Sequence, residues 1–342
     1  MRTTRAAWII IFAALLTMGA AAAPTAAEPI KIRMGYAQLP GHLAPILFQN
    51  KSVLKHYGQS YVVDAIRFRG TTPQIQALSA GELEMATLAP SGLVFAVENA
   101  KIDARVVGDT FHDNGKTHWT SPYLVLKDSG IDTVEDLRGK RVASNAIGSA
   151  SDSAMRAMLK RHGLGDNDFN TIETAFGNMP AMLLQKKVDL IVALPQFINV
   201  IPPDKVKALF NIRDAVGAQQ TIMWVARADV IAKNRAAFVD YWEDHIRALR
   251  WFLDPKNHDE AVKYVTAYTK QSRESVEYAF TENDYYRSPD ARPDVEGIKR
   301  GIAQNIESGV LKSSIEVEKY LDLSLIEEAK KRIDGDKASQ LR

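Results

Sequence analysis

Short apolar runs alternate with stretches of helical periodicity through the first two-thirds of the chain. Residues 31–37 alternate apolar and polar positions and predict a β-strand, 42–50 predict a short helix, and 61–68 predict a second strand. Further strands are predicted at 84–88 and 104–110, with helical stretches between them. Strands separated in this way by helices predict right-handed βαβ units around a parallel sheet.

One helix start in this region has a clear local signal. Gly70-Thr71-Thr72-Pro73 opens a helical stretch that runs through Ala80. Thr72 is a suitable N-cap, and Pro73 then occupies the favoured first helical position. We therefore expect the helix to begin at this proline.

The same pattern returns in a second stretch of the chain. Strands are predicted at 141–144, 169–175, 189–194 and 206–210, and helices at 151–162 and 180–187. AGELEMATLAP at 80–90 aligns with QKKVDLIVALP at 185–195, at a constant offset of 105 residues. The match is short, but its place after a helix and before a turn in both halves predicts two similar lobes.

The chain becomes helical and amphipathic after residue 229. Residues 232–253 carry aromatic side chains at mixed three- and four-residue spacings, which predicts a helix with one buried face. Further helices are predicted at 257–270, 272–281, 293–308 and 314–331. We expect these aromatic residues to belong to the core.

The first residues follow the charged, apolar and small-residue order of a secretory signal peptide. Arg2 and Arg5 precede an apolar run at 6–18, and small residues follow. The run is shorter than the ~20 residues that a membrane span needs, which disfavours the alternative of an uncleaved anchor. We expect cleavage after Ala23 or, because Pro24 would follow that site, after Ala27.

Composition narrows the function classes. The chain is 46% hydrophobic and 25% charged, and its 43 basic and 41 acidic residues show no basic excess that would suggest a nucleic-acid partner. The absence of cysteine excludes disulfides, thiolate metal sites and a lipid-modified cysteine. Export without such an anchor predicts a protein of the bacterial periplasm.

Four segments carry a resemblance to a known family. They are VLKDSGIDTVEDLRGKRVAS (125–144), IRMGYAQLPG (32–41), ALSAGELEMA (77–86) and LKRHGL (159–164). Together they resemble the substrate-binding proteins of ABC importers, in the branch that takes up nitrate, taurine, alkanesulfonates and thiamine precursors. The resemblance covers about residues 30–225, and its most characteristic segment is the one around Lys-Asp-Ser-Gly-Ile.

The resemblance implies an α/β architecture, the type II periplasmic binding fold, in which two doubly wound lobes enclose a ligand cleft. Two crossover segments, about 117–123 and 219–223, would join the lobes, and the C-terminal helices would pack on lobe one. The expected divisions are a signal peptide at 1–27, lobe one at 28–118, lobe two at 119–220, and a return to lobe one with the C-terminal helices at 221–342.

Ligands of open α/β sheets lie beyond the carboxyl ends of the strands, where this chain keeps its small and polar loops. These loops are 38–42, 70–73, 90–92, 145–152, 177–180 and 195–197. Each precedes a helix and so offers free N–H groups and a positive dipole end. One helix start stabilises an anion by ~0.3–1 kcal/mol, whereas a micromolar ligand needs about 8, so several starts must converge in a closed cleft.

The resemblance implies ligand contacts at Gln38, Thr71, Thr72, Ser91, Ser149 and Ser151. The loop placement adds Asn178 and aromatic candidates at Phe111, Trp119, Phe176 and Phe197, for which packing beneath the loops is an equal alternative.

Helix capping is the alternative for Ser149, Ser151 and Asp152. A carboxylate at Asp152 would repel an anion, so this residue either caps its helix or marks an amine-bearing ligand. No arginine falls clearly in a cleft loop. The turn at 194–197 reads Leu-Pro-Gln-Phe where many relatives carry Trp-Glu-Pro, which leaves the ligand headgroup open.

The sequence thus predicts a monomeric periplasmic protein that captures a small anionic solute, such as a sulfonate, taurine or nitrate, and delivers it to an ABC permease and its ATPase. A thiamine-pyrimidine precursor or an aromatic acid is the alternative ligand, and a sensor subunit is the alternative role. A related branch of the fold makes the thiamine pyrimidine, but with a cysteine cluster that this chain lacks. We expect no enzyme activity, no cofactor and no metal, and we interpret the cluster of His112, Asp113 and His118 as a solvated loop.

Overall fold

The structure is a computed structural model that describes residues 28–340, with side chains described through Asp336. The predicted signal peptide lies outside the described residues. Within the described part of the chain, no helix combines the length and apolar character that crossing a membrane requires.

Strands and short helices alternate up to residue 227, and helices follow. The strands are β1 (Ile30–Tyr36), β2 (Tyr61–Arg67), β3 (Met85–Leu88), β4 (Ala104–His112), β5 (Pro122–Leu126), β6 (Arg141–Ser144), β7 (Asn170–Glu173), β8 (Ile191–Val192), β9 (Val206–Asn211) and β10 (Gln220–Arg227). The α-helices are α1 (Ala44–Leu47), α2 (Thr71–Ser79), α3 (Pro90–Val94), α4 (Ala150–Arg161), α5 (Met179–Leu184), α6 (Pro195–Ile198), α7 (Ile212–Val216), α8 (Ala228–Leu253), α9 (His258–Thr269), α10 (Arg273–Val276), α11 (Val295–Glu307) and α12 (Ser324–Gln340).

The first sheet has five strands in the order β2-β1-β3-β10-β4. β1 pairs in parallel with β2 and β3, whereas β10 pairs antiparallel with both β3 and β4. The predicted parallel pairing is thus correct for β1, β2 and β3 and wrong for β10. β4 leaves this sheet toward the second lobe and β10 returns from it, so β10 must run in the opposite direction.

The second lobe contains the ladders β8-β5-β9 and β6-β7. Both pairs of β5 are antiparallel and the β6–β7 pair is parallel. A single bridge between Val142 and Leu190 connects the two ladders. The chain passes from the first sheet to the second between His112 and Pro122, and it returns at Gln220.

Each lobe has its own apolar core. Tyr123, Leu190 and their neighbours form the core of the second lobe. On the first sheet, the aromatic residues of α8 pack over β2, β4 and β10, with Trp242, Tyr241 and Phe238 fully buried, which confirms their prediction as core, whereas Trp251 is only partly buried. A Cβ at Gly108 of β4 would lie 2.2 Å from the Trp242 ring, so only glycine allows this helix to pack so closely.

The start of α2 differs from its prediction. The helix begins at Thr71 with Gly70 as its N-cap, and the hydroxyl of Thr72, the predicted cap, bonds elsewhere. A Cβ at Gly70 would approach Asn145 Nδ2 to 2.9 Å and Ala146 Cβ to 3.0 Å. The glycine therefore serves the close approach of the two lobes at this point.

Both lobes contain the same contact, which we call the arginine–carboxylate clamp. In each clamp an arginine on one strand binds a carboxylate and a backbone carbonyl, and both of these lie in the segment just before another strand. In lobe one, Arg33 bonds to Glu84 through its amide (2.7 Å) and Nε (2.9 Å) and to the carbonyl of Gly81. In lobe two, Arg141 bonds in the same way to Asp189 (2.8 and 3.1 Å) and to the carbonyl of Lys186. The acids are 105 residues apart, as are the carbonyls, which agrees with the offset of the sequence repeat.

Candidate functional site

A cavity of about 70 Å³ lies between the two lobes, beyond the ends of several strands. Its wall draws on both sheets, on the starts of α2 and α4, and on a segment between α10 and α11. The lining residues are Ala37, Gln38, Gly41, His42, Gly70, Thr71, Gln74, Thr87, Phe111, Ser121, Asn145, Ser149, Ala150, Ser151, Phe176, Leu194, Gln196, Ile212, Thr221, Ile222 and Tyr285.

The start of α2 forms the polar wall on the side of lobe one. Thr71, the first residue of this helix, is buried and lines the cavity. Neither its hydroxyl nor the amides of Thr71 and Thr72 have a hydrogen-bond partner among the described residues. These donors and the positive end of the helix dipole are therefore available to a ligand.

The start of α4 forms the facing wall on the side of lobe two. Ser149 is its N-cap and accepts a bond from the amide of Asp152 (3.3 Å). The hydroxyls of Ser149 and Ser151 both donate to Asn145 Oδ1, each at 2.7 Å. The amides of Ala150 and Ser151 have no acceptor in the described part of the chain. This wall thus combines internally bonded hydroxyls with free backbone donors.

Asp152 does not face the cavity. Its Oδ2 accepts bonds from the amide of Gly148 and from Arg156 Nε, both at 2.9 Å, and its side chain is fully buried. The paired arginine stabilises the buried charge, which would otherwise be costly. Of the two interpretations of this residue, the geometry favours structural pairing at the start of the helix.

His42 lies at the base of the cavity and is buried. Burial, and secondly the charge of Arg287, lower the pKa of this histidine to about 3. The guanidinium of Arg287 is itself buried and paired with Asp284 at 2.8 Å. The imidazole is consequently neutral throughout the physiological range.

Aromatic rings also line the cavity, and they pack against Ala150 at the start of α4. Phe111 and Tyr285 are stacked with their centroids 4.4 Å apart. The Tyr285 hydroxyl lies 3.0 Å from Ser121 Oγ, which also accepts a bond from Trp119 Nε1 at 3.2 Å. Phe176 of lobe two also lines the cavity. The cavity therefore combines polar helix starts with aromatic side chains.

No side chain of the described cavity wall is ionised at neutral pH. The residues of this wall include no Asp, Glu, Lys or Arg. Burial raises the pKa of Tyr285 above its usual value, so this group also stays neutral. A charged ligand would meet only dipoles and hydrogen-bond donors.

Hydrogen bonds cross from one lobe to the other around the cavity. Thr72 Oγ1 donates to the carbonyl of Ile147 (3.0 Å), and Ser91 Oγ donates to the carbonyl of Gly148 (3.3 Å). Two further bonds run from Asn145 Nδ2 to the carbonyl of Arg69 (3.0 Å) and from Gln196 Nε2 to the carbonyl of Leu39 (3.2 Å). The structure is thus a closed form, in which the lobes contact each other directly.

The predicted site residues fall into three groups. Gln38, Thr71, Ser149 and Ser151 line the cavity. Thr72 and Ser91 lie outside its wall and bond across the lobes, and Trp119 lies behind Ser121 in an adjoining small cavity. The remaining two are absent from the wall: Asn178 is exposed, and Phe197 lies next to Gly177. Of the other predicted aromatics, Phe111 and Phe176 line the cavity.

Sequence reasoning missed several residues of the wall. His42, Asn145 and Gln196 lie in or next to the loops that follow predicted strands. Their position near the cleft could therefore be predicted, whereas their contact with the cavity could not. Thr87 lies on a strand and Gln74 inside α2, where the periodic pattern suggests core. Tyr285 comes from a distant C-terminal segment, and no local signal connects it to the cleft.

One group of side chains in the described residues has the spacing of a metal site. His258, Asp259 and Glu277 offer ligand atoms close together. Arg273 bonds to both acids, at 2.5 Å from Asp259 and 2.7 Å from Glu277. The arginine already neutralises these carboxylates on an exposed surface, so the group fits an ion-pair network better than a metal centre.

Comparison with known proteins shows which proteins share this fold. Residues 58–195 match the family described as ABC transporter, phosphonate, periplasmic substrate-binding protein. The chain has the two-lobed fold of periplasmic substrate-binding proteins, and the resemblance predicted from the sequence is confirmed. No curated protein matches the sequence.

Solved structures resemble the chain over most of its length. The periplasmic nitrate-binding protein NrtA from Synechocystis PCC 6803 is 14% identical, with a TM-score of 0.72 and 89% of each chain covered. The alkanesulfonate-binding protein SsuA from Xanthomonas axonopodis pv. citri, bound to MOPS, is 17% identical, with a TM-score of 0.67 over 87% of this chain and 100% of that one. A desulfurization enzyme, DSZB, is 13% identical with a TM-score of 0.62, covering 89% of this chain and 99% of the other. At these identities the likeness establishes the fold, which binding proteins and an enzyme share.

Proposed function

We propose that the protein captures a small organic anion in the interlobe cavity and delivers it to an ABC importer. The observation that carries the proposal is the meeting of α2 and α4, whose N-termini face one cavity from opposite lobes. Their free amides and dipoles stabilise negative charge, whereas an ammonium group would find no carboxylate in the described wall.

The energies allow binding at micromolar strength. Two partly buried helix ends supply up to ~2 kcal/mol each, and charge-assisted hydrogen bonds add about 1.5–3 each. Two to three such bonds bring the gross energy to about 7–13 kcal/mol, and after the costs of association are subtracted only the upper end of this range reaches the ~8 kcal/mol of a micromolar ligand. We propose Gln38, Thr71 and Ser151 as contacts, with Ser149 lining the cavity as the cap of α4 and Thr72 and Ser91 acting in closure.

The helix-start donors and the aromatic rings of the wall together favour an anionic headgroup with an apolar tail. Organic sulfonates fit this description, and so do aromatic acids, which the stacked pair of Phe111 and Tyr285 supports as the second candidate. Taurine is a weaker candidate because its amine would lack a counter-ion.

The resemblance and the matched family support a role and a location. We infer a periplasmic protein, exported by its signal peptide and acting as a monomer with an ABC permease and its ATPase. In this role the ligand selects the closed form through its additional affinity for that form. The predicted lobe boundaries at 118/119 and 220/221 belong to the same proposal.

A thermal-shift screen tests the proposal. Residues 28–342 are unfolded and refolded to remove bound solute, and then mixed with benzenesulfonate, 1-propanesulfonate, benzoate, nitrate, taurine or benzylamine. Ligand at 100 times its Kd adds about 2.7 kcal/mol to the free energy of unfolding, which gives a readable shift. We expect a response to the organic sulfonates or benzoate and none to benzylamine, the cationic control. A response to benzylamine alone would contradict an anion site.

A further inference from the structure

Two arginines lie at the end of β2, beside the cavity but outside its wall. β2 is an edge strand of the first sheet, and Arg67, its last residue, pairs with Tyr36 of β1. Arg67 and Arg69 are both exposed, whereas Phe68 between them is half-buried against the core of lobe one. Both guanidinium groups are therefore in contact with solvent.

Both arginines are bonded to residues that form the cavity wall. The guanidinium of Arg67 donates to Gln38 Oε1 at 3.2 Å and to the carbonyl of Ala37 at 3.4 Å, and both acceptor residues line the cavity. The carbonyl of Arg69 accepts a bond at 3.0 Å from Nδ2 of Asn145, a wall residue of lobe two. The structure thus places both residues at the rim of the cavity, where the lobes meet.

Neither positive charge is neutralised by an acid of the described residues. Arg67 bonds only to uncharged oxygens, and the guanidinium of Arg69 has no partner in the described structure. Every other described arginine forms an ion pair with a carboxylate, except Arg161, which the carbonyls of Asp214 and Ala215 hold. Two unpaired arginines beside the same cavity therefore give its rim a local positive potential.

We infer that Arg67 and Arg69 attract the anionic ligand to the cavity and so raise its rate of association. This inference rests on the proposed function. The wall carries no ionised side chain, and with 43 basic and 41 acidic residues the chain has no strong overall field. Attraction of an anion over a distance must therefore come from local charge. Exposed rim charges act mainly on association and on its salt dependence, so dissociation is controlled by the contacts of the wall.

Stopped-flow fluorescence with benzenesulfonate as the probe measures both rates. Trp119 donates to Ser121 of the cavity wall and supplies an intrinsic signal. At 10 mM ionic strength, the double variant Arg67→Gln/Arg69→Gln should associate about 3- to 10-fold more slowly than the parent, with a dissociation rate within about 2-fold. At 1 M salt the Debye length falls from about 30 Å to about 3 Å, so the two association rates should then agree within about 2-fold.

Two further double variants test whether charge at this place is responsible. Arg67→Lys/Arg69→Lys keeps both charges but loses the planar guanidinium, and it should associate within about 2-fold of the parent. Lys233→Gln/Lys331→Gln removes two positive charges from exposed positions on α8 and α12 and should associate at the rate of the parent.

The outcomes are distinguishable. The role of the two arginines would be overturned, and the proposed function left intact, by any of three results at low salt: normal association in Arg67→Gln/Arg69→Gln, an equal decrease in the lysine double variant, or an equal decrease in Lys233→Gln/Lys331→Gln. Association of the parent that does not slow as salt is added would also overturn it, and this measurement decides if a variant does not fold. Absence of binding by the parent to both sulfonates and to benzoate would overturn the proposed function and this inference together.

Discussion

The two walls of the cavity present helix starts of different character. On the side of lobe two, the hydroxyls of Ser149 and Ser151 are committed to Asn145, and Ser149 also caps α4. On the side of lobe one, the hydroxyl of Thr71 and Nε2 of His42 have no partners in the described structure. The side-chain hydroxyls of the first wall are committed within it, so that wall offers only backbone amides, whereas the second wall keeps the hydroxyl of Thr71 free. The difference suggests that lobe two supplies a preformed surface while lobe one contributes side-chain selectivity.

Charge on the preformed wall should have the largest effect. Ser149→Asp retains a good N-cap and hence the fold, but it places a carboxylate beside the bound anion. At about 4 Å and an effective dielectric constant near 20, the repulsion is about 4 kcal/mol, so we expect at least ~100-fold weaker binding of benzenesulfonate by calorimetry. Ser272→Asp, at the exposed N-cap of α10, is the matched control and should bind normally. Undiminished binding by Ser149→Asp would mean that this helix start is only a cap.

Acid should act through the histidines of lobe one. Burial lowers the pKa of His245 to about 3, as burial and Arg287 do for His42. The unfolded chain binds these protons near pH 6.5 and the folded one does not, so stability decreases as the pH falls below 6.5. Each residue should cost about 2 kcal/mol between pH 7 and 5. His112 acts in the opposite sense: burial lowers its pKa, but the bond to Asp109 and nearby acids raise it overall.

Urea unfolding at pH 7 and 5 measures this dependence. We expect His245→Leu and His42→Asn each to reduce the difference in the free energy of unfolding by about 2 kcal/mol. Equal sensitivity in the parent and in His245→Leu would contradict a neutral buried imidazole at that position.

The smallest effects should distinguish the two walls most directly. Ser149→Ala removes a cap and should lower the free energy of unfolding by about 1 kcal/mol, with little change in affinity because its hydroxyl already donates to Asn145. Thr71→Val should do the reverse and weaken sulfonate binding by about 2- to 10-fold while stability stays near that of the parent. Both quantities are measured on both variants. A loss of affinity in Ser149→Ala equal to that in Thr71→Val would remove the distinction between the walls.

The sequence predicted much of the architecture because hydrophobic periodicity and helix starts are local signals. The repeat at 80–90 and 185–195 marked two lobes, and the clamp acids Glu84 and Asp189 lie within it. The direction of β5 and β10 could not be predicted, since an apolar strand reads the same in either orientation. Only the route of the chain between lobes determines that direction.

The site was less accessible to sequence reasoning. The ends of the predicted strands indicated the loop that contains Ser149 and Ser151. The hydrogen-bond partner of these hydroxyls, Asn145, could not be predicted, because hydrophobic periodicity carries no information about side-chain hydrogen bonds. The pairing of Asp152 with Arg156 did have a signal, because residues four apart on a helix are neighbours. His42 and Tyr285 meet at the cavity only through tertiary packing.

The clamps formed by Arg33 and Arg141 have a mechanical consequence. Each ties strands within its own lobe, and neither crosses the cleft. Opening the protein therefore breaks single hydrogen bonds between lobes while the spacing of donors on each wall stays constant. Each lobe then moves as a rigid body with a fixed arrangement of donors, and only the distance between the lobes changes. The protein therefore selects a ligand by its width as well as by its chemistry.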